Sequence, residues 1–305
     1  MDVVVIGEPL VEFSSRRSLS EADTFTLSFS GDALNAAVAA AALGVQVALV
    51  TRVGADEFGE RLVAFAAAKG VDTRWISRGP GPTGAYAVGA DPVGARAFAY
   101  MRTGSAASHL SPEDVDRSPA PLASVVLLSG ITAALSDSCA AAVRHAAHIA
   151  SGRVVYDPNF RSRLTTPEKA RAVLADVAPH ARLLVPSCPG DADVLLGTSD
   201  PYEVASTCRA LGAPAVAVTQ GPRGVLLSEG DTISTLPAIV ATEVVDQTGA
   251  GDSFAGALSA WLARGESLAS AVRAGTAAAA ISLAGQGGTG RVATAGEVRA
   301  LLTMS

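Results

Sequence analysis

From Val125 onward, short apolar runs alternate with longer helix-patterned segments, and this alternation constrains the fold most strongly. Strands are expected at 125–128, 153–156, 183–186 and 215–219, with helices at about 136–150, 167–178, 190–196 and 201–211. The strands are apolar at consecutive positions, so both of their faces must be buried. A mostly parallel sheet with helices on either side, a three-layer α/β fold, meets that requirement. Earlier in the chain, residues 3–6 read as another buried strand ending at Gly7, and 45–50 as a second. Helices are expected at 31–42, ended by Gly44, and at 56–69, stopped by Gly70. Further strands at 224–228 and 231–236 follow, and Thr294-x-x-Glu297 forms a capping box for the last helix. Two stretches break the rhythm. Residues 13–30 read as edge strands and 83–103 as a hairpin, together a small β lid. No linker, repeat or low-complexity tract divides the chain, so one domain over 1–305 is expected.

Several function classes are disfavoured. Hydrophobic residues make up 49% and charged ones 17%, which suits a large core rather than disorder. A net charge of −6 without a basic run argues against nucleic acid as a partner. The only lysines, Lys69 and Lys169, lie outside any Walker-type phosphate loop. Cys139, Cys188 and Cys208 have no disulfide or zinc spacing, and the four histidines form no metal-ligand pattern. The chain enters a strand at once, and its apolar runs are too short to span a bilayer, so a cytoplasmic protein is expected.

Residues 246–257 read Asp-Gln-Thr-Gly-Ala-Gly-Asp-Ser-Phe-Ala-Gly-Ala. Residues 243–245 before them suggest a short strand, and an apolar helix follows as far as Gly265. Gly249 and Gly251 allow a tight turn and close backbone approach. The first N–H groups of a helix lack internal partners, and its dipole adds partial positive charge, so such a turn holds phosphate well. Asp252 lies inside this anion site. It is either a first-turn residue favoured by the dipole or a base that accepts a proton from an attacking hydroxyl.

The string Asp246-x-Thr248-Gly249-Ala250-Gly251-Asp252-Ser253-Phe254 resembles the C-terminal signature of the ribokinase-like (PfkB) carbohydrate kinases. Ser30-Gly31-Asp32-Ala33-Leu34-Asn35 resembles the N-terminal Gly-Gly-x-x-x-Asn signature, with Ser30 in place of the first glycine. The block 52–59 resembles the next one, and the likeness extends over almost the whole chain. Within the family, Gly7-Glu8-Pro9-Leu10-Val11, the run 100–106, the run 128–132 and Asp157-Pro158-Asn159-Phe160-Arg161 are most similar to 2-keto-3-deoxygluconate kinases.

The resemblance implies transfer of the γ-phosphoryl group of Mg·ATP to a sugar hydroxyl. Asp252 would then be the base, with the amides of Gly249, Ala250, Gly251 and Asp252 around the migrating group. Gly31, Asn35, Tyr86, Tyr100, Arg102 and Arg161 would meet the sugar, the arginines facing a carboxylate. Thr219, Gly221 and Gly224 would lie along the nucleotide. The family's Asn-x-x-Glu string near magnesium is Cys188-Pro189-Gly190-Asp191 here, so Asp191 keeps the charge and Cys188 loses the amide. The resemblance further implies potassium held by oxygens near Asp246, Thr248 and the loop 285–290, and a homodimer formed through the lid. Two alternatives remain: a kinase for a neutral sugar such as fructose or ribose, and a non-catalytic sugar-binding regulator.

Overall fold

The computed structural model describes residues 1–89 and 97–304. Its strands are β1 (Val3–Ile6), β2 (Leu10–Ser15), β3 (Thr26–Ser30), β4 (Val47–Val53), β5 (Val71–Asp72), β6 (Ile76–Arg78), β7 (Ala85–Gly89), β8 (Ala97–Met101), β9 (Val125–Ser129), β10 (Val154–Asp157), β11 (Ala181–Leu184), β12 (Ala215–Thr219), β13 (Val225–Glu229) and β14 (Thr232–Leu236). The main sheet runs in the order β14-β13-β12-β11-β10-β9-β1-β4-β5, and β6 also pairs with β4. From β12 to β5 the pairing is parallel, while β13 and β14 form an antiparallel edge.

The consecutive apolar residues of the strands feed two cores. Val3, Val5, Val125 and Leu127 face one layer, which holds helices Asp32–Ala42, Ala250–Ala263 and Leu268–Ser282. Val4, Ile6, Val126 and Leu128 face the other, with helices Asp137–Ile149, Pro167–Val177 and Pro201–Ala210. Side chains that alternate between two buried faces explain why these strands carry apolar residues at consecutive positions. Among the described residues no helix is long and apolar enough to cross a membrane.

One contact within the first layer determines the geometry of the site. A Cβ on Gly256 would lie 2.3 Å from the Ala36 carbonyl oxygen. Only glycine lets helix Ala250–Ala263 press this closely on helix Asp32–Ala42. The side chains one turn before Gly256 are thereby brought against Asn35.

A separate four-stranded sheet has the order β3-β2-β7-β8. Sequence patterning marks 13–30 as edge strands, but β2 is interior, paired to β3 on one side and β7 on the other. Its alternating polar residues made it look exposed. In fact Glu12 and Ser14 are buried and hydrogen-bonded. Residues 90–96 of the expected hairpin lie outside the described residues. The strand expected at 243–245 is absent. Val244 and Val245 are exposed, and the N–H groups of Val245 and Asp246 both donate to the Leu283 carbonyl instead of to a strand partner. The short strands β5 and β6 have too few residues to give a periodic signal.

Candidate active site

Gly249 adopts φ 79°, in the left-handed region, and caps helix Ala250–Ala263. A Cβ there would lie 2.6 Å from Gly288 Cα, so glycine is required both for the turn and for the packing of loop 285–290 against it. At Gly251 a Cβ would meet nothing within 4 Å, because that position opens onto a cavity. The N–H groups of Gly249, Gly251 and Asp252 have no acceptor among the described residues, while that of Ala250 donates to the Gln247 carbonyl at 3.3 Å. Three of the four expected amides are thus free for an anion, and Ala250 instead supports the turn. The free donors and the open Cβ direction fit a polyphosphate.

The cavity has a volume of about 430 Å³. Its walls come from the C-terminal ends of β10 and β11, the glycine turn, the start of helix Asp32–Ala42 and the small sheet. Asp252 lies on its floor, where Asn35 Nδ2 donates to Asp252 Oδ2 at 2.8 Å. Ser30, at the position of the family's first glycine, is buried, and its hydroxyl lies 3.3 Å from Asn35 Oδ1. That bond turns the amide so that its NH₂ faces Asp252. Burial pushes the Asp252 carboxyl up to about 7, and the charge on Asp32 adds to the rise, while Asn35 and Arg161 oppose it.

Two further carboxylates share the space. Asp32 and Asp157 both line the cavity, and both are raised, first by burial. Asp157 is also raised by Asp191 and Asp252. Asp32 Oδ2 is buried without a hydrogen-bond partner among the described residues. Such an atom is costly unless a ligand hydroxyl fills the gap. Neither residue was singled out as a site residue from sequence, although both stand inside the family strings. The signal was present: an aspartate directly after Gly31, and another opening Asp157-Pro158-Asn159. Asn159 has φ 40°, the one positive φ at a non-glycine among the described residues, and its N–H donates to Asp157 Oδ1 at 3.0 Å. Strain of this kind concentrates at ligand sites.

Gly31, Tyr86, Tyr100, Arg102 and Arg161 all reach the same cavity. Gly31 has φ 105°, and a Cβ would lie 2.5 Å from the Glu8 carbonyl oxygen, so the helix start cannot carry a side chain here. The β7–β8 register pairs Tyr86 with Tyr100, which puts their rings 5.8 Å apart on one face. The Tyr86 hydroxyl bonds the buried Glu12. Arg102 is already engaged: its Nη1 donates to Glu8 Oε2 at 2.6 Å and its guanidinium stacks over Tyr100. Burial pushes the Glu8 carboxyl up to about 7, against the pull of Arg102. Arg161 is exposed, and apart from one bond to its neighbour's carbonyl it is free to turn to a ligand.

The residues expected along the nucleotide divide. Asp191 and Thr219 line the cavity, whereas Gly221 and Gly224 lie outside its wall, on the turn after β12. Gly224 serves the sheet, since a Cβ there would lie 2.2 Å from the Leu236 carbonyl oxygen. Both Asp191 oxygens are committed. Oδ1 accepts from the Phe160 N–H at 2.6 Å, and Oδ2 accepts from the Ser187 N–H and hydroxyl at 2.9 and 2.7 Å. Cys188 turns away, its thiol on the Ser199 carbonyl. Asp246 is similarly occupied, taking the Thr248 and Gly287 N–H groups at 2.7 Å each. It clamps loop 285–290 to the glycine turn. Among the described residues no group of three His, Cys, Asp or Glu side chains is disposed to hold a metal ion.

Free amides on a glycine turn, a buried carboxylate beside them and an adjoining polar cavity are suited to phosphoryl transfer, and comparison with known proteins identifies the family. The description "pfkB family carbohydrate kinase" matches residues 1–294. The chain belongs to the pfkB family of carbohydrate kinases. It is 35% identical over 263 residues to a 2-dehydro-3-deoxygluconokinase of Thermoproteus tenax, covering 84% of this chain and 80% of the relative. It is 31% identical over 289 residues to a 2-dehydro-3-deoxygluconokinase of Dickeya dadantii, covering 89% and 91%. Among solved structures, a candidate ribokinase II from E. coli in complex with ATP and Mg²⁺ superposes with a TM-score of 0.88 at 25% identity, covering 100% of this chain and 99% of that one. The pfkB kinases are phosphotransferases with an alcohol acceptor, which excludes a purely sugar-binding regulator as the family activity.

Proposed function

We propose that this pfkB kinase transfers the γ-phosphoryl group of ATP to a hydroxyl of 2-keto-3-deoxygluconate, with Asp252 as the base. The observation that carries the chemistry is the pair formed by Asp252 and the free amides of the glycine turn. A carboxylate beside an anion cradle is repulsive unless it accepts a proton there. With its pKa near neutrality, Asp252 can take the hydroxyl proton as the oxygen attacks phosphorus. The N–H groups of Gly249, Gly251 and Asp252 are suited to the charge on the migrating group. Asn35 holds the base in position, and the unpaired Asp32 oxygen is suited to a sugar hydroxyl. Magnesium would offset the phosphate charge when bound. Asp157, which lines the same cavity, would add negative charge facing it, and Asp191 would keep the surrounding loops in place.

The acid acceptor is supported by Arg102 and Arg161 at one cavity and by the names of the two relatives. One observation favours a neutral sugar instead. Arg102 is paired with Glu8, and the Arg161 charge already acts on Asp32, Asp157 and Asp252, so less positive charge remains for a carboxylate. An ATP-consumption panel of acid and neutral sugars separates the two. Potassium held by carbonyls near Asp246 and Thr248 belongs to the same reading, as do a cytoplasmic site and a homodimer. The exposed Tyr100 and Met101 on the outer strand β8 support the dimer.

A further inference from the structure

Glu8 is fully buried just beyond the end of β1, and Arg102 lies just past β8, so the pair joins the main sheet to the small one across 94 residues of sequence. Arg102 Nη1 donates to Glu8 Oε2 at 2.6 Å, and the Ser105 hydroxyl lies 3.5 Å from Oε1. The other side of the arrangement is aromatic. The Arg102 guanidinium carbon sits 4.5 Å from the Tyr100 ring centroid. The Arg102 side chain is only 10% exposed, yet it forms part of the cavity wall, whereas Glu8 does not reach the cavity. Burying an ion pair is a poor way to gain stability, because desolvation offsets the attraction. Its benefit is geometric. A flexible arginine tied at one nitrogen and stacked on a ring loses its freedom before ligand arrives, so binding need not order it.

We propose that Glu8 is a positioning residue for the acceptor: it fixes Arg102 so that the remaining guanidinium donors face the sugar. The inference rests on assigning the Tyr86–Arg102 end of the cavity to the acceptor. Glu8 touches no substrate and acts only through Arg102. A merely structural Glu8 would lower the amount of folded enzyme and leave both Michaelis constants unchanged.

The test is a double-mutant cycle in steady-state kinetics: Glu8→Ala, Glu8→Gln, Arg102→Ala and the two double variants. Glu8→Ala is expected to raise the acceptor KM about tenfold, the size of one charge-assisted hydrogen bond, with KM for ATP unchanged. Glu8→Gln keeps an acceptor oxygen and should recover most of this, leaving a rise of about threefold, since neutral bonds are weaker than charge-assisted ones. In the Arg102→Ala background neither change should alter KM further. Effects that persist in that background, a rise in KM for ATP, or an unchanged acceptor KM in Glu8→Ala would overturn the proposal. Should Glu8→Ala fail to fold, the Glu8→Gln cycle decides alone. The cycle uses whichever acceptor is turned over, so failure of the acid-sugar assignment appears in the sugar panel and failure of the positioning role appears in the cycle.

Discussion

The raised pKa of Asp252 makes the rate depend on pH in a defined direction. A base works only when ionised, and burial holds this carboxyl at about 7. At that value roughly a tenth of the free enzyme carries the ionised base at pH 6 and roughly nine-tenths at pH 8. The value of kcat/KM should therefore fall about tenfold from pH 8 to pH 6, because this parameter reports groups of the free enzyme. Glu8 is raised to about 7 as well, but it lies behind Arg102 and away from the reacting oxygen. Asp252→Asn separates the two. The amide keeps the shape of the helix start and its bond to Asn35, but it cannot take a proton. Turnover should drop by roughly 10²–10⁴-fold, the usual range for loss of a general base, with sugar still bound. The residual activity should lose the acid limb attributable to Asp252. The assay is coupled ATP consumption with subsaturating acceptor across pH 6 to 8, with circular dichroism to confirm folding. A flat wild-type profile, or an Asp252→Asn turnover within about threefold of wild type, would refute the assignment.

Other outcomes follow from the same geometry. Gly249→Val should abolish most activity and lower stability, because its side chain would enter Gly288; Gly251→Val should fold normally but lose ATP affinity, as titration calorimetry would reveal. Asp246→Ala frees the Thr248 and Gly287 N–H groups, so KM for ATP should rise and the rate difference between potassium and tetramethylammonium should shrink; equal rates in both salts for the wild type would remove the cation. Arg161→Ala should weaken an acid sugar by about tenfold relative to a neutral one, the size of a charge-assisted bond, with ATP affinity unchanged. Glu8 and Asp252 have folded pKa values raised to about 7, and Asp32 and Asp157 are raised in the same direction, so the folded state binds more protons than the unfolded chain across the window from about 4 to about 7 that Glu8 and Asp252 set. The ligand-free protein should therefore lose stability as pH rises from 5 to 7; a melting temperature that climbs over that range would contradict the shifts.

Much of the fold was legible because it depends on local pattern. The strands with runs of consecutive apolar residues declare a sheet buried on both faces, and the structure gives each face its own core. The glycine turn was legible because Gly249 and Gly251 do their work within a few residues of Asp252. Contacts distant in sequence left no such trace. Nothing near Glu8 announces Arg102, and only the family resemblance, not the local pattern, brings the loop 285–290 to Asp246. Gly224 has a long-range reason to be glycine that its neighbours in sequence do not show, the backbone of Leu236 2.2 Å from where a Cβ would stand. Asp32 was in plain view within Ser30-Gly31-Asp32-Ala33-Leu34-Asn35, yet only the fold reveals its unpaired oxygen.

The most direct measurement is ATP consumption by the purified protein against 2-keto-3-deoxygluconate, fructose and ribose under identical conditions. The account predicts that the acid sugar leads in kcat/KM by at least about tenfold, the difference one arginine–carboxylate bond supplies. A neutral sugar ahead by a similar margin would contradict the substrate, and no ATP consumption with any sugar would contradict the kinase itself.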